Sequence, residues 1–135
     1  MTYIFDSSGI YSMISRREYR HFSDGFTIYL AKYEFGNILW KEQHLHRRIG
    51  LAQQKEMSDS AEKVFENIEV LGTSGYINDV INLASRLDIT FYDASYVFFA
   101  MKRNATLVTL DTKLIKKVSG VINTISPDEL VKHGM

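Results

Sequence analysis

The sequence predicts an α/β protein with three layers, in which helices cover both faces of a central, mainly parallel sheet. Short β-prone segments alternate with helical patterns along the chain, which is typical of strands joined by helical crossovers. Aspartates lie next to several of these strands, where α/β sheets bind their ligands. No internal repeat, low-complexity tract or proline-rich linker interrupts the pattern. Residues 1–135 are therefore expected to form a single domain.

The first quarter of the chain predicts a strand and then helices. Tyr3–Phe5 is short and β-prone, and Asp6-Ser7-Ser8 can cap a helix that runs to about Arg17. Over residues 27–49 apolar side chains recur with helical spacing. This predicts one long helix or two collinear helices, with Gly36 as a weak point.

The middle of the chain predicts further helices and one strand. Asp59-Ser60-Ala61-Glu62 resembles a capping box before an apolar run, and the glycines of residues 72–75 end that run. A helix follows, with a buried face between Ile77 and Leu87. Ile89–Tyr92 is read as a strand, and Asp93 opens a helix that ends near Arg103-Asn104.

The last third predicts two strands and two helices. Thr106–Leu110 is expected to be a buried strand, followed by a short helix that ends at Gly120. Val121–Ile125 is expected to be another strand. Ser126-Pro127-Asp128-Glu129 then combines a capping serine, a first-turn proline and a glutamate that can close a capping box, so a final helix starts there.

Four carboxylates can be brought together by this arrangement. Asp6, Asp93 and Asp111 each follow a predicted strand, although each taken alone is equally explained as a helix cap. Glu34 lies on the shoulder of an apolar helix stripe, where a solvated charge is unusual, and an ion pair with Lys41 is its alternative explanation. At about 5 Å separation and an effective dielectric near 20, each pair repels by about 3 kcal/mol. A cluster of all four would require protonation or a cation.

The ligand chemistry favours Mg²⁺ or Mn²⁺. The chain has no cysteine, so thiolate zinc sites, disulfides and a cysteine nucleophile are excluded. Oxygen ligands suit hard divalent ions that keep several waters. Such ions activate water and polarise phosphodiesters, which predicts hydrolysis of nucleic acid. His44 and His46 are two residues apart on a predicted helix and point to different sides, so they do not form a zinc site.

These residues resemble the PIN-domain ribonucleases, in particular the VapC-like toxins of prokaryotic toxin–antitoxin pairs. The resemblance extends from Tyr3 to about Leu130 and depends on four segments in the family's order, Phe5-Asp6-Ser7-Ser8, Tyr33-Glu34-Phe35-Gly36-Asn37, Tyr92-Asp93-Ala94 and Thr109-Leu110-Asp111. It implies a PIN-like fold and a metal-dependent endoribonuclease. Gly9 departs from the pattern, because the family usually has a larger residue there.

The resemblance also implies roles for individual residues and for partners. Asp6, Glu34, Asp93 and Asp111 would be the catalytic, metal-binding set. Ser8 and Thr109 would support it by hydrogen bonding, although they are equally explained as ordinary cap and strand residues. Asn37, one turn after Glu34, is a further candidate for orienting it. The family implies an RNA substrate and a small antitoxin that blocks the site.

Composition and charge limit the other expectations. Lysine plus arginine (16) equals aspartate plus glutamate (16), so RNA would be held by local basic patches or metal ions. Three basic clusters qualify, and each is also explained as a solvated helix face: Arg16, Arg17, Arg20 and His21; Lys41, His44, His46, Arg47 and Arg48; Lys113, Lys116 and Lys117. No membrane span or leader pattern is present, and a cytoplasmic location is expected.

Alternative functions differ in what they require. A non-catalytic PIN-like module that binds RNA or protein would have no reason to keep four repelling acids. A signalling receiver domain needs paired acids near the first strand, and a haloacid-dehalogenase-like phosphatase needs an aspartate where this chain has Ser8. An aromatic-rich region, Tyr11, Tyr19, Phe22, Phe26 and Tyr29, is expected to be core, with a homodimer or partner surface as the alternative.

Overall fold

A computed structural model describes residues 1–133 of the chain. Five parallel strands form one sheet in the order β3-β2-β1-β4-β5. The strands are β1 (Tyr3–Phe5), β2 (Gly25–Ile28), β3 (Glu69–Leu71), β4 (Thr106–Val108) and β5 (Thr124–Ile125). The helices are α1 (Ser7–Ser15), α2 (Leu30–Trp40), α3 (Leu51–Asn67), α4 (Ile77–Leu87), α5 (Phe91–Arg103), α6 (Thr112–Val118) and α7 (Pro127–His133).

The strand order explains why helices cover both faces of the sheet. From β1 the chain moves outward through β2 to β3, and α1, α2 and α3 on this path pack against one another. From β3 it crosses back to β4, and the crossover helices α4 and α5 pack together, with α5 against β1, β2 and β4. Right-handed crossovers in opposite directions place their helices on opposite faces. The three-layer prediction is confirmed.

The central strand β1 carries the core. Tyr3, Ile4 and Phe5 are all buried, and Leu107 and Val108 of β4 are buried beside them. A strand covered on both faces is continuously apolar rather than alternating. The strand order reverses between β1 and β4, and such a reversal leaves a crevice at the carboxyl ends of the two strands. Asp6 follows directly after β1 at this point.

The predicted helix over residues 27–49 is wrong at its start. Gly25–Ile28 is a strand, β2, and α2 begins only at Leu30. Thr27 is fully buried, and its hydroxyl donates to the backbone oxygen of Phe5 (2.6 Å). A short buried strand cannot be distinguished from a helical segment by periodicity. The helical geometry continues beyond Trp40 as a π-helical turn, Lys41–Leu45, and Gly36 does not interrupt α2.

The predicted start of the next helix is also wrong. Asp59-Ser60-Ala61-Glu62 lies inside α3, which begins at Leu51. Val70 and Leu71, assigned to the helical apolar run, belong to the edge strand β3. The first turns of α3 give no core signal, because residues 53–56 are polar and only Met57, Ala61 and Val64 of this helix are buried. An amphipathic helix with so narrow an apolar stripe gives a weak periodic signal.

Ile89–Tyr92 is not a strand. Asp88 has a left-handed conformation that ends α4, and Thr90 caps α5 by accepting the backbone N–H of Asp93 (3.1 Å). Asp93 therefore lies in the first turn of α5 rather than at a strand end. The predicted end of this helix is confirmed, because Asn104 terminates α5 with φ 51°. The strands predicted at 106–110 and 121–125 are present but shorter.

Close packing between α1 and β4 explains why residue 9 is a glycine. A Cβ at this position would lie 2.4 Å from the backbone oxygen of Val108, closer than van der Waals contact allows. Gly9 therefore lets the first turn of α1 approach the end of β4, which keeps Asp6 beside Thr109.

None of the helices within residues 1–133 is both long enough and apolar enough to cross a lipid bilayer.

Candidate active site

Asp6 is the buried centre of the site. It is the N-cap of α1, and its Oδ1 accepts from the backbone N–H of Gly9 (2.8 Å) and from the hydroxyl of Ser8 (2.7 Å). Its residue is only 7% exposed. The cap explains why the strand ends and a helix begins here. It does not explain the depth of burial, since a capping carboxylate is normally solvated.

Ser8 and Thr109 connect Asp6 to the end of β4. The Ser8 hydroxyl, which donates to Asp6, also accepts the backbone N–H of Leu110 (3.0 Å). The buried Thr109 side chain donates to Asp6 and accepts the backbone N–H of Asp111 (3.0 Å). Both hydroxyls thus orient one carboxylate and fix the backbone that carries another. These contacts agree with the supporting role that the resemblance implies.

Glu34 is held from the opposite layer. Its Oε1 accepts from the hydroxyl of Tyr96 on α5 (2.7 Å), and Ser7 provides a second hydrogen bond. Tyr96 is 2% exposed. Burial, followed by the charge and hydrogen bond of Glu34, raises the pKa of the Tyr96 phenol, so it remains a neutral donor. The alternative of a pair with Lys41 is not observed.

Asp93 and Asp111 form the exposed side of the site. Asp93 is half-buried in the first turn of α5. Asp111 caps α6, because its Oδ1 accepts from the backbone N–H groups of Lys113 and Leu114 (both 3.1 Å). Both acids line one cleft beside α6. The role of Asp111 as a helix cap therefore coexists with its position in the site.

The charge of one acid raises the pKa of the next, from pair to pair across the four acids. Burial raises the pKa of Asp6 to about 6 despite hydrogen bonds that lower it, and the charge of Glu34 adds to the increase. Burial raises the pKa of Glu34, and Asp93 raises it further. Burial also raises the pKa of Asp93, and Asp111 raises it further. Each acid thus lies within the electrostatic reach of the next.

The donor set fits a hydrated divalent ion rather than a fully protein-ligated one. Within residues 1–133 no three His, Asp or Glu side chains converge closely enough to hold an ion by themselves. Magnesium retains several waters and needs only one or two carboxylates directly. A line of mutually repelling carboxylates, one of them buried, is the environment that such a cation relieves. Oxygen-only donors favour magnesium or manganese over softer metals.

The role of Asn37 stays a prediction, and the sequence did not single out Tyr96, which contacts Glu34. Asn37 is exposed, and its side chain makes no hydrogen bond in the described part of the chain. Tyr96 orients Glu34. Tyr96 is separated from Glu34 by 62 residues, and its position in an apolar helix makes it indistinguishable from a core aromatic in the sequence.

Some residues of the three basic clusters and of the aromatic-rich region are already engaged in ion pairs or in core packing. Ion pairs use a member of each basic cluster: Arg16 with Asp128 (3.3 Å), Arg17 with Glu56 (2.8 Å), Arg48 with Glu42 (3.1 Å) and Lys117 with Asp88 (3.7 Å). In the aromatic-rich region, Phe22 and Phe26 are core, whereas Tyr19 and Tyr29 are exposed. The expectation of core packing therefore holds for part of that region only.

The stability of the metal-free protein should depend on the ionisation of Asp6. With a pKa of about 6 in the folded chain against an ordinary 3.8, the folded state binds this proton more readily than the unfolded state. Stability then rises as pH falls from above 6 towards 4. We expect Asp6→Asn, which can still cap α1, to stabilise the protein by up to about 3 kcal/mol above pH 7. Urea denaturation in EDTA measures this.

The comparison between the two proteins isolates Asp6 from other groups. Arg103 lowers the pKa of Glu69, and Lys132 lowers that of Asp128, so these acids titrate in the opposite sense in both proteins. The stability gain of Asp6→Asn should vanish near pH 4. A gain that is independent of pH would contradict the assignment.

Comparisons with known proteins agree with this geometry. No protein-family model matches the chain. The chain is 32% identical over 123 residues to the exonuclease VapC9 of Pyrobaculum aerophilum, covering 90% of this chain and 89% of that protein. It is 36% identical over 99 residues to the ribonuclease VapC3 of the same organism, covering 71% and 72%.

Two solved structures are similar to the whole fold. The crystal structure of PAE2754 from Pyrobaculum aerophilum matches with a TM-score of 0.78 and 30% identity, covering 98% of this chain and 96% of that one. The crystal structure of VapBC2 from Rickettsia felis bound to a DNA fragment from their promoter matches with a TM-score of 0.57 and 13% identity, covering 93% and 98%. At that identity the second match concerns the fold alone.

Proposed function

Because the chain belongs to the VapC family of PIN-domain toxins, and is thereby a nuclease of a toxin–antitoxin system, we propose that it is an Mg²⁺- or Mn²⁺-dependent endoribonuclease. The observation that carries the proposal is the buried carboxylate of Asp6 at the β1/β4 crevice, linked through Glu34 and Asp93 to Asp111. Burial of the Asp6 carboxylate costs stability, and a role of this carboxylate in binding a cation explains why the cost is tolerated.

Each residue of the site has a distinct task in this proposal. Asp6, Asp93 and Asp111 bind the ion, with Glu34 assisting. Ser8 and Thr109 orient Asp6, and Tyr96 orients Glu34. When bound, the ion lowers the pKa of a water and stabilises the charge that develops on an RNA phosphodiester. The half-buried and exposed positions of Asp93 and Asp111 leave this side open to a polynucleotide.

Internal cleavage is favoured over cleavage from an end because two of the acids, Asp93 and Asp111, line an open cleft rather than a closed tunnel. The two Pyrobaculum relatives are named differently in this respect, one an exonuclease and the other a ribonuclease. A circular RNA, which has no ends, discriminates between these modes. Linearisation of the circle by the protein supports internal cleavage, and an intact circle beside degraded linear RNA overturns it.

The partners follow from the family and are part of the proposal. We expect a cognate antitoxin that covers the acids, a homodimeric protein and a cytoplasmic location. No described observation favours the alternative of a non-catalytic binding module, since four acids that repel one another are costly to retain without a cation.

The proposed activity is tested with purified protein, unpaired and structured RNAs, and a series of divalent ions. We expect cleavage with magnesium or manganese and none in EDTA. An ion that binds only the folded protein must also stabilise it, by about 2.7 kcal/mol at 100 times its Kd, so the melting temperature should rise with ion concentration. Cleavage that persists in EDTA would overturn the metal dependence.

Tyr96→Phe tests the orientation of Glu34. The variant keeps the buried ring and removes only the hydroxyl that donates to Glu34. Loss of a group that orients a ligand typically lowers metal affinity about 10-fold or more. We expect the magnesium concentration for half-maximal cleavage to rise by about this factor, with the fold retained. Unchanged magnesium dependence would show that Glu34 acts without Tyr96.

A further inference from the structure

A cleft of about 460 Å³ lies directly beside the acids, between the α4–α5 connection and α6. Asp93 and Asp111 form part of its wall, and Asp88, Thr90, Lys113 and Lys117 form the rest together with two apolar side chains. Its size is within the range of small-molecule sites, about 300–1,000 Å³. A single nucleotide of a bound strand is therefore of suitable size for it.

The two lysines of the cleft differ in their availability. Lys117 is occupied, because its Nζ donates to the backbone oxygen of Asp88 (2.6 Å) and pairs with its carboxylate (3.7 Å). The exposed side chain of Lys113 makes no hydrogen bond or ion pair in the described part of the chain. The backbone of Lys113 is fixed, since its N–H donates to Asp111 (3.1 Å). The cleft thus contains one unpaired ammonium group, two residues from a metal-binding acid.

Tyr92 does not line the cleft itself, but it adds an unpartnered aromatic ring next to the cleft residue Asp93 in the first turn of α5. It directly precedes Asp93 and is 60% exposed, with no ring contact or hydrogen bond among residues 1–133. The ring of Tyr96 lies one helical turn further along α5 and reaches Glu34. Elsewhere on α5, Phe98 and Phe99 pack against each other and against Tyr76. Only an exposed ring can stack on a base.

We propose that this cleft is the subsite for the nucleotide next to the scissile phosphate of an unpaired RNA strand, with Lys113 contacting its phosphate and Tyr92, beside the cleft, stacking on the adjoining base. The inference rests on the proposed ribonuclease function. A base inside a duplex presents no free face to a side chain, so stacking on Tyr92 selects unpaired RNA. The lysine offsets the repulsion that Asp93 and Asp111 exert on the phosphate.

The test measures binding of a fluorescent unpaired RNA of 12 nucleotides, by anisotropy, to proteins that carry Asp6→Asn to prevent cleavage. We expect added Lys113→Ala to weaken binding about 5- to 10-fold and to reduce the salt dependence by about one contact. Lys113→Arg should restore both. Lys116→Ala is the matched control, because Lys116 is exposed on the same helix but does not line the cleft, and it should change neither.

The aromatic contact is tested in the same assay. Tyr92→Ala should weaken binding about 10-fold, within the range of one base stack, whereas Tyr92→Phe should retain it. Tyr19, which is 42% exposed and comes before the amino end of β2, away from the carboxyl ends of the strands, supplies the control variant Tyr19→Ala. A hairpin RNA with the same sequence in its stem should bind more weakly to the parent and be insensitive to Tyr92→Ala.

The outcomes separate this inference from the proposed function. Equal effects of Lys113→Ala and Lys116→Ala, or no effect of Tyr92→Ala, overturn the subsite even if the wild-type protein cleaves RNA. Conversely, selective effects of both variants on binding support the subsite even if the wild-type protein fails to cleave, in which case the proposed function alone is overturned.

Discussion

Asp93→Asn is expected to reduce RNA cleavage by at least about 100-fold in kcat, equivalent to about 2.7 kcal/mol of transition-state stabilisation. Asp93 is half-buried beside Asp111 and lines the open cleft. An asparagine has the same shape but no charge, so it cannot provide the anionic ligand that a divalent ion requires. Single-turnover cleavage at saturating magnesium measures the loss.

The fold should survive this substitution. The structural contacts at this position are both with Thr90, which accepts the backbone N–H of Asp93 and hydrogen-bonds to its carboxylate, and the side-chain oxygen and backbone of asparagine can keep both. The charge of Asp111 also raises the pKa of Asp93. Replacing the Asp93 carboxylate by a neutral amide therefore removes the repulsion between the two carboxylates. We expect an unchanged or slightly raised melting temperature in EDTA. Asp79→Asn is a matched control, because Asp79 lies in the first turn of α4 and outside the acid set. Full activity of Asp93→Asn would refute the assignment of the site.

Gly9→Ala is expected to produce a large loss of stability. The added methyl group would lie 2.4 Å from the backbone oxygen of Val108 and 3.3 Å from a methyl of its side chain. The backbone of α1 and β4 would have to separate, and overpacking of this kind costs about 3 kcal/mol. For a chain of this size that corresponds to a fall of roughly 10 °C in melting temperature. Thermal and urea denaturation measure both quantities.

Gly36→Ala provides the matched control for this substitution. Gly36 is also a helix glycine, but nothing lies within 4 Å of a Cβ built there. Alanine at an open helix position stabilises by about 0.5–1 kcal/mol. The two variants should therefore change stability in opposite directions. A neutral Gly9→Ala would show that α1 does not depend on close approach to β4. Activity should also fall in Gly9→Ala, because the displaced helix carries Asp6 and Ser8.

The elements that the sequence predicted well have strong local signals. Asn104 ends α5 and Ser126 starts α7, since Ser126 accepts the backbone N–H of Glu129 (3.1 Å). Capping residues act within one helical turn, so neighbouring residues are sufficient to recognise them. The strands β2 and β3 were missed because a strand of three or four residues is too short to show a distinguishing periodicity.

For the site as well, some features could be predicted from the local sequence and others depend on contacts between distant residues. The acids themselves were predictable, since carboxylates next to buried apolar segments are unusual and four of them in the family's order are specific. The error at Asp93, which lies in a helix that follows a short helix connection rather than a strand, did not remove it from the proposed site. A first-turn position of α5 and the end of β4 reach the same crevice.

By itself, the sequence determined the layered α/β architecture and predicted the set of acids and their hard-ion chemistry, because each of these inferences follows from residue types and local spacing. The tertiary structure alone decided which groups serve those acids. It placed Tyr96 against Glu34, Gly9 against Val108, and Lys113 in the cleft with Asp93. These pairs come from different elements of the fold, and their contacts depend on packing between elements that are distant in the chain.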